Sequence, residues 1–343
     1  MDIQELENYL ENNNPAELLD KTLNSKGKDF YIYFLQSEAY RLLGKFEESI
    51  QKAKNALKYT KTNQDKIEVN LALAKNYRTL GNAKDALSYA KLAYKYARKD
   101  ELLDYAMLAL QEEALSLRAG GKLDEAKELL AEVFNYFESE KDYQGLSFVC
   151  WALGGICRLK GDFKEGIKLF KKSYSYATKA KDKISQAYAL CGLAGISRVA
   201  GNIKTCVDNY KKAEKLFAKT QDIFGKAYTN CGMANGLRQL GDLKNATRHY
   251  KRAEILYTAI NDNVDLGFVK WGQADVFKRQ NKLTMAFSCL TKAKSLFANS
   301  DEMRGQILTE ISLAQVIYAL GEKEKADYSA QLVFLKSSVS FTS

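Results

Sequence analysis

The chain has 343 residues, of which 46% are hydrophobic and 27% charged, with a formal net charge of +10 and a single proline, Pro15. So little proline argues against loop-rich and all-β folds, and no run of 18 apolar residues is present to form a membrane span. The length exceeds one typical compact domain, so two domains or one elongated array is expected. The opening stretch MDIQELENYLENNN is too acidic and polar for a secretory signal. Six cysteines (Cys150, Cys157, Cys191, Cys206, Cys231 and Cys289) show no CxxC and no metal-type spacing. They read as free thiols in a reducing cytoplasm, which is the expected location.

Residues 1–26 are expected to form irregular N-terminal capping helices. From 27 to 322 the chain repeats itself. AYRLLGKFEES is followed by KNYRTLGNAKDAL, LSLRAGGKLDEA, CWALGGICRLKGDF, AGISRVAGNIKTC, NGLRQLGDLKNA, DVFKRQNKLTMA and VIYALGEKEKA. The turn positions are Gly44, Gly81, Gly121, Gly161, Gly201, Gly241, Asn281 and Gly321, spaced by 40 residues from Gly81 onward. A strict period in this range predicts stacked supersecondary units.

Each unit reads as two helices. About 17 residues with apolar spacing of three and four precede the turn, as in QAYALCGLAGISRVAG, and a second amphipathic stretch follows, as in NIKTCVDNYKKAEKLFAKTQ. The turn glycine suits the left-handed position that ends a helix. Asp142, Asp182, Asp222, Asp262 and Glu302 each stand 19 residues before a turn residue, where a side-chain oxygen would cap the next first helix. The expected fold is therefore all-α, an α-α superhelical solenoid of about eight hairpins. A C-terminal helix and tail over 323–343 completes it.

Three further positions recur. A small residue stands seven before the turn (Gly154, Ala194, Ala234, Ala274, Ala314), and alanines follow it at Ala86, Ala126, Ala246, Ala286 and Ala326. Bulky residues stand nine after it (Phe170, Tyr210, Tyr250, Leu290). In these features residues 27–339 resemble the tetratricopeptide repeat. The 40-residue form, with D-x-x-G at Asp142–Gly145 and Asp222–Gly225, is similar to the repeats of Pins-type spindle-orientation adaptors and kinesin light chains. The inter-repeat proline of the shorter form is absent. The resemblance implies that the first helix of each repeat lines a concave surface.

Residues 13, 10, 6 and 3 before the turn share one stripe of the first helix, and the resemblance places that stripe in the groove. It reads Phe148, Trp151, Gly155, Arg158; then Tyr188, Cys191, Gly195, Arg198; then Tyr228, Cys231, Asn235, Arg238; then Phe268, Trp271, Asp275, Lys278. The cation extends back through Arg118, Arg78 and Arg41, and Tyr318 ends the series. A cation in the last turn of a helix interacts favourably with the dipole, whereas the preference for arginine suits bidentate binding of carboxylate or phosphate. Both uses stay open. Gly155 and Gly195 leave depressions on the stripe between an aromatic and an arginine, able to seat an extended backbone or flat group. Gly154 matches the small packing position, and Gly192, Gly232 and Gly272, one residue off the stripe, read as sites of close helix packing.

The chain lacks the residues of an enzyme. Its one histidine, His249, has no Cys or carboxylate company and is expected on the solvated surface, and the acids are expected on outer helical faces. No P-loop, strand-borne GxGxxG or multi-histidine site is present, so no metal or cofactor is expected. The favoured function is a non-enzymatic adaptor or scaffold that binds a peptide segment of a protein partner, expected to be acidic, in a basic, aromatic-lined concave groove. Chaperone-tail binding of the Hsp70 or Hsp90 kind is not expected, because only Asn235 matches that pattern. RNA or single-stranded nucleic acid is the alternative, since rings interleaved with arginines can stack bases and hold phosphates. A receptor for a small planar or peptide ligand is a third.

Overall fold

The computed structural model describes residues 3–11, 14–23, 29–298, 300, 302–324 and 326, and among them every regular element is an α-helix. Two short helices, α1 (Ile3–Glu11) and α2 (Pro15–Leu23), precede the repeats. The hairpins are α3 (Phe30–Leu42) with α4 (Phe46–Leu57), α5 (Asn63–Thr79) with α6 (Ala83–Lys99), and α7 (Leu103–Ala119) with α8 (Leu123–Ser139). They continue as α9 (Tyr143–Lys160) with α10 (Phe163–Lys179), α11 (Lys183–Val199) with α12 (Ile203–Phe217), α13 (Ile223–Gln239) with α14 (Leu243–Ala259), and α15 (Asn263–Arg279) with α16 (Leu283–Phe297). The last first helix is α17 (Met303–Ala319). The expected C-terminal helix and tail lies outside the described residues from 327 onward. No described helix is long and apolar enough to cross a membrane.

The chain divides into two compact units. The first reaches to Ile196 and includes Lys219–Gln221; the second takes Ser197–Ala218 and everything from Asp222 onward. Within each unit successive first helices touch one another (α3, α5, α7 and α9; α13, α15 and α17), whereas successive second helices do not. The first helices therefore lie on the inner side of each stack.

The local signals explain the hairpins. All eight turn residues have positive φ, from 58° at Asn281 to 92° at Gly321, a conformation cheap only for glycine and, less so, asparagine. The five acids cap as expected: Asp142 accepts from the Gln144 and Gly145 amides, Asp182 from Ile184 and Ser185, and Asp222, Asp262 and Glu302 from Gly225, Asp265 and Gly305. A second left-handed series lies between repeats at Glu101, Lys141, Lys181 and Asn261, with φ of 50–58°. No glycine marks it, so the sequence gives no hint of it. It is held by helix-end bonds such as the Asp142 amide to the Phe137 carbonyl, 3.0 Å.

Repeats are joined by rings seated on glycines. A Cβ added to Gly192 would stand 2.2 Å from the Phe170 ring, one on Gly232 2.0 Å from Tyr210, and one on Gly272 2.4 Å from Tyr250. The D-x-x-G glycines do the same: Gly145 lies under Phe137, Gly225 under Phe217 and Gly305 under Phe297. In every case a ring of one second helix occupies the place of a side chain missing from the next first helix. The alanines complete the fit, since Ala86, Ala126, Ala246 and Ala286 are fully buried.

Gly232→Ala must push Tyr210 aside and is expected to cost about 1–3 kcal/mol. Gly241→Ala meets no atom within 4 Å and carries only the left-handed backbone cost of about 1–2 kcal/mol. Gly232→Leu should exceed both clearly in urea unfolding. Equal losses for Gly232→Leu and Gly241→Ala would remove packing as the reason for the glycine.

Candidate functional site

The stripe cations reach forward onto the next repeat. In the first unit the Arg118 guanidinium carbon lies 5.3 Å from the centre of the Trp151 ring. A Cβ on Gly155 would come within 2.9 Å of Arg118 Nη1. The space above this glycine thus seats an arginine of the same chain. Trp151 also packs against Phe148 (ring centres 5.8 Å apart) and meets Tyr188 edge-on at 6.3 Å, so three half-buried rings form one cluster beside the arginine. Arg78 Nε donates to Glu112 Oε2 at 3.1 Å, and Arg41 is forked onto Glu38. Glu112 is buried on a first helix, which corrects the expectation that acids stay on outer faces. Arg78 and Arg41, both half-buried, find their counter-charges in Glu112 and Glu38. Arg158 is partly buried, while Cys191 and Gly195 are fully or nearly buried and offer no side-chain surface.

The second unit repeats the motif with a carboxylate added. The Arg238 guanidinium carbon lies 5.3 Å from the centre of the Trp271 ring, and its Nη1 donates to Asp275. Asp275 also accepts from Arg279 Nε at 3.0 Å and lies 3.6 Å from Lys278 Nζ. Lys278 in turn donates to Gln315 at 2.9 Å. Burial alone would raise the Asp275 pKa, but the Arg238 charge and its neighbours hold it below the usual carboxylate range. Asn235 accepts from the Tyr250 hydroxyl at 2.7 Å and from Arg238 Nη2 at 3.4 Å. Trp271 is pinned by its indole N–H to Ser312 Oγ at 2.9 Å. Cys231 sits near Asn235, and burial pushes its thiol up to about 12, so it stays protonated and is no nucleophile. Tyr228 stacks on Phe224, and Phe268 meets Phe297 edge-on with Arg304 over its other surface. Arg198 is partly exposed and forms no ion pair with a described residue.

The forward reach was missed in the sequence, although a signal exists: Trp151 follows Arg118, and Trp271 follows Arg238, by the same interval of 33 residues. His249 requires a correction. It is buried, not solvated, and its Nδ1 lies 2.9 Å from Asn230 Oδ1 between α14 and α13. Burial lowers its pKa. The six cysteines are free, and four of them are buried.

Removing Asp275 strands a buried guanidinium, so Asp275→Ala is expected to cost about 3 kcal/mol in urea unfolding. Arg198→Ala should cost about 0.5 kcal/mol or less. Equal losses would mean that the Arg238–Asp275 pair is no brace. His249, with a depressed pKa, binds its proton more readily in the unfolded chain. Stability should therefore fall as pH drops from 7 through the ordinary histidine range, by at most about 1.4 kcal/mol per pH unit. His249→Gln should flatten that part of the profile relative to wild type.

No family model matches the sequence, and no curated protein matches it. Solved structures match over most of the chain. A Rap protein complexed with competence and sporulation factor is 18% identical with a TM-score of 0.69, over 84% of this chain and 81% of that one. NprR in complex with its cognate peptide NprX is 15% identical with a TM-score of 0.67, over 97% of both chains. A signal-transduction ATPase with a tetratricopeptide repeat sensor, from Pyrococcus horikoshii, is 16% identical with a TM-score of 0.55, over 94% of this chain and 52% of that one. At these identities the likeness is one of fold, and the fold of this chain is the tetratricopeptide-type α-α solenoid.

Proposed function

We propose that the chain is a non-enzymatic adaptor or sensor that captures a peptide segment on its first-helix stripe. The observation that carries this reading is the half-buried ring cluster of Phe148, Trp151 and Tyr188, locked by Arg118. Rings held in place before binding lose little freedom when an apolar side chain packs on them, which is how aromatic anchors gain affinity. In the second unit Arg198 supplies a cation not committed to an internal carboxylate. The peptide-bound state of the similarly folded NprR supports the same reading.

The cations also bear on the partner's chemistry. Arg41, Arg78, Arg238 and Lys278 are paired with internal acids. The stripe therefore suits a peptide with a few acids and apolar anchors better than a phosphate chain, which needs many uncommitted cations along its length. Within the second unit Tyr228, Asn235 and Phe268 would shape the walls of the stripe.

Selection from a random peptide library against the purified protein tests this. Sequences recovered on wild type should pair an aromatic or aliphatic residue with Asp or Glu, and Trp151→Ala should weaken them about tenfold or more. Arg198→Glu should select against the acidic ones. Recovery of no consensus, together with RNA binding that falls steeply with salt, would overturn the reading.

A further inference from the structure

Besides Arg198 on the stripe, much uncommitted positive charge of the second unit lies on the outward faces of its second helices. Lys211, Lys212 and Lys215 of α12 and Arg248, Lys251 and Arg252 of α14 are exposed, and none forms an ion pair with a described residue. On α14 Arg248, Lys251, Arg252 and Ile255 fall at intervals of three and four and so share one helical face. That face ends at a cleft of about 340 Å3 between the end of α12, α13 and α14. Phe217 and Leu256 line it together with Lys226, Arg252 and Ile255. Ile255 is 68% exposed, more than any other large hydrophobic residue described. Glu214 also lines the cleft, opposed by Lys226 and Arg252, whereas Glu254 is held by Lys270 and Gln273.

The cleft lies where α12 ends. α12 spans 15 residues where α10 and α14 span 17, and no left-handed turn precedes Asp222 as it precedes Asp142, Asp182 and Asp262. Phe217 stays buried at this end, its ring seated on Gly225.

We infer that this outer face of α12 and α14 is a docking surface for an acidic, amphipathic protein segment whose apolar residue enters the cleft beside Ile255. The charge complementarity fixes the acidic character, and the apolar cleft fixes the anchor. α12 and α14 expose no aromatic ring on which a base could stack, so nucleic acid fits less well. The acidic outward face of α8, with Asp124, Glu125, Glu128 and Glu132 exposed, makes a second copy of the chain a further outcome to be tested. The surface is separate from the stripe and does not rest on the function proposed for it.

The test is fluorescence anisotropy with the full chain and a labelled helical peptide bearing leucines at i, i+3 and i+7 among glutamates. A control peptide replaces the leucines with serine, and a 20-nucleotide oligo-dT serves as the nucleic-acid probe. The leucine peptide should bind at least tenfold tighter than either. Ile255→Ser and, separately, Lys251→Glu with Arg252→Glu should each weaken it tenfold or more while leaving the helical circular dichroism unchanged. Arg198→Glu should leave it unchanged. Equal binding of the serine peptide, tighter binding of oligo-dT, or loss with Arg198→Glu but not with Ile255→Ser would overturn the inference. So would concentration-dependent self-association in sedimentation velocity that Ile255→Ser abolishes. Loss only with Arg198→Glu would leave the stripe reading standing.

Discussion

Everything else in this molecule depends on rings of one repeat occupying the place of side chains absent from the next. A solenoid has no single core; each repeat is stabilised by its neighbours. The five largest fully buried side chains are Tyr250, Tyr257, Phe170, Phe217 and Phe297, all on second helices. Gly192, Gly225, Gly267, Gly272 and Gly305 on first helices receive four of them, and Gly232 receives Tyr210. Each ring removes on the order of 150–250 Å2 from water, enough to offset the roughly 1 kcal/mol that a mid-helix glycine costs.

That packing brings successive first helices close together within each unit, and closeness decides what the stripe can do. An arginine near the end of one first helix reaches the middle of the next. There it meets Trp151 and Gly155 in the first unit, and Trp271 and Asp275 in the second. A ladder of like charges is thereby converted into braces between repeats. The net charge of +10 is not concentrated in the stripe, because several stripe cations are neutralised where they stand. Much of the excess in the second unit lies on second helices that face outward.

Gly155 illustrates the limits of a positional pattern. Its place on the stripe suggested a depression open to a ligand, and the depression exists, but Arg118 lies across it. The helical period identifies which face a residue is on and leaves open what comes from the neighbouring repeat to meet it. His249 shows the same thing from the other side. Nothing in its local sequence separates a solvated position from a buried one, and its contact with Asn230 is set by how α14 lies on α13.

The sequence by itself determined the hairpins: their period, their left-handed turn residues, their acid caps and the glycines that admit close packing. These follow from interactions within a few residues or from positions repeated in register, and both are visible along one dimension. Only the tertiary structure decided which charges are committed and which rings stay accessible. It also decided that Ile255 stands exposed beside the cleft between α12, α13 and α14. Pairings such as Arg238 with Asp275 join residues almost a full repeat apart, and their geometry is set by the rise and rotation from one hairpin to the next, a quantity that no single helix encodes.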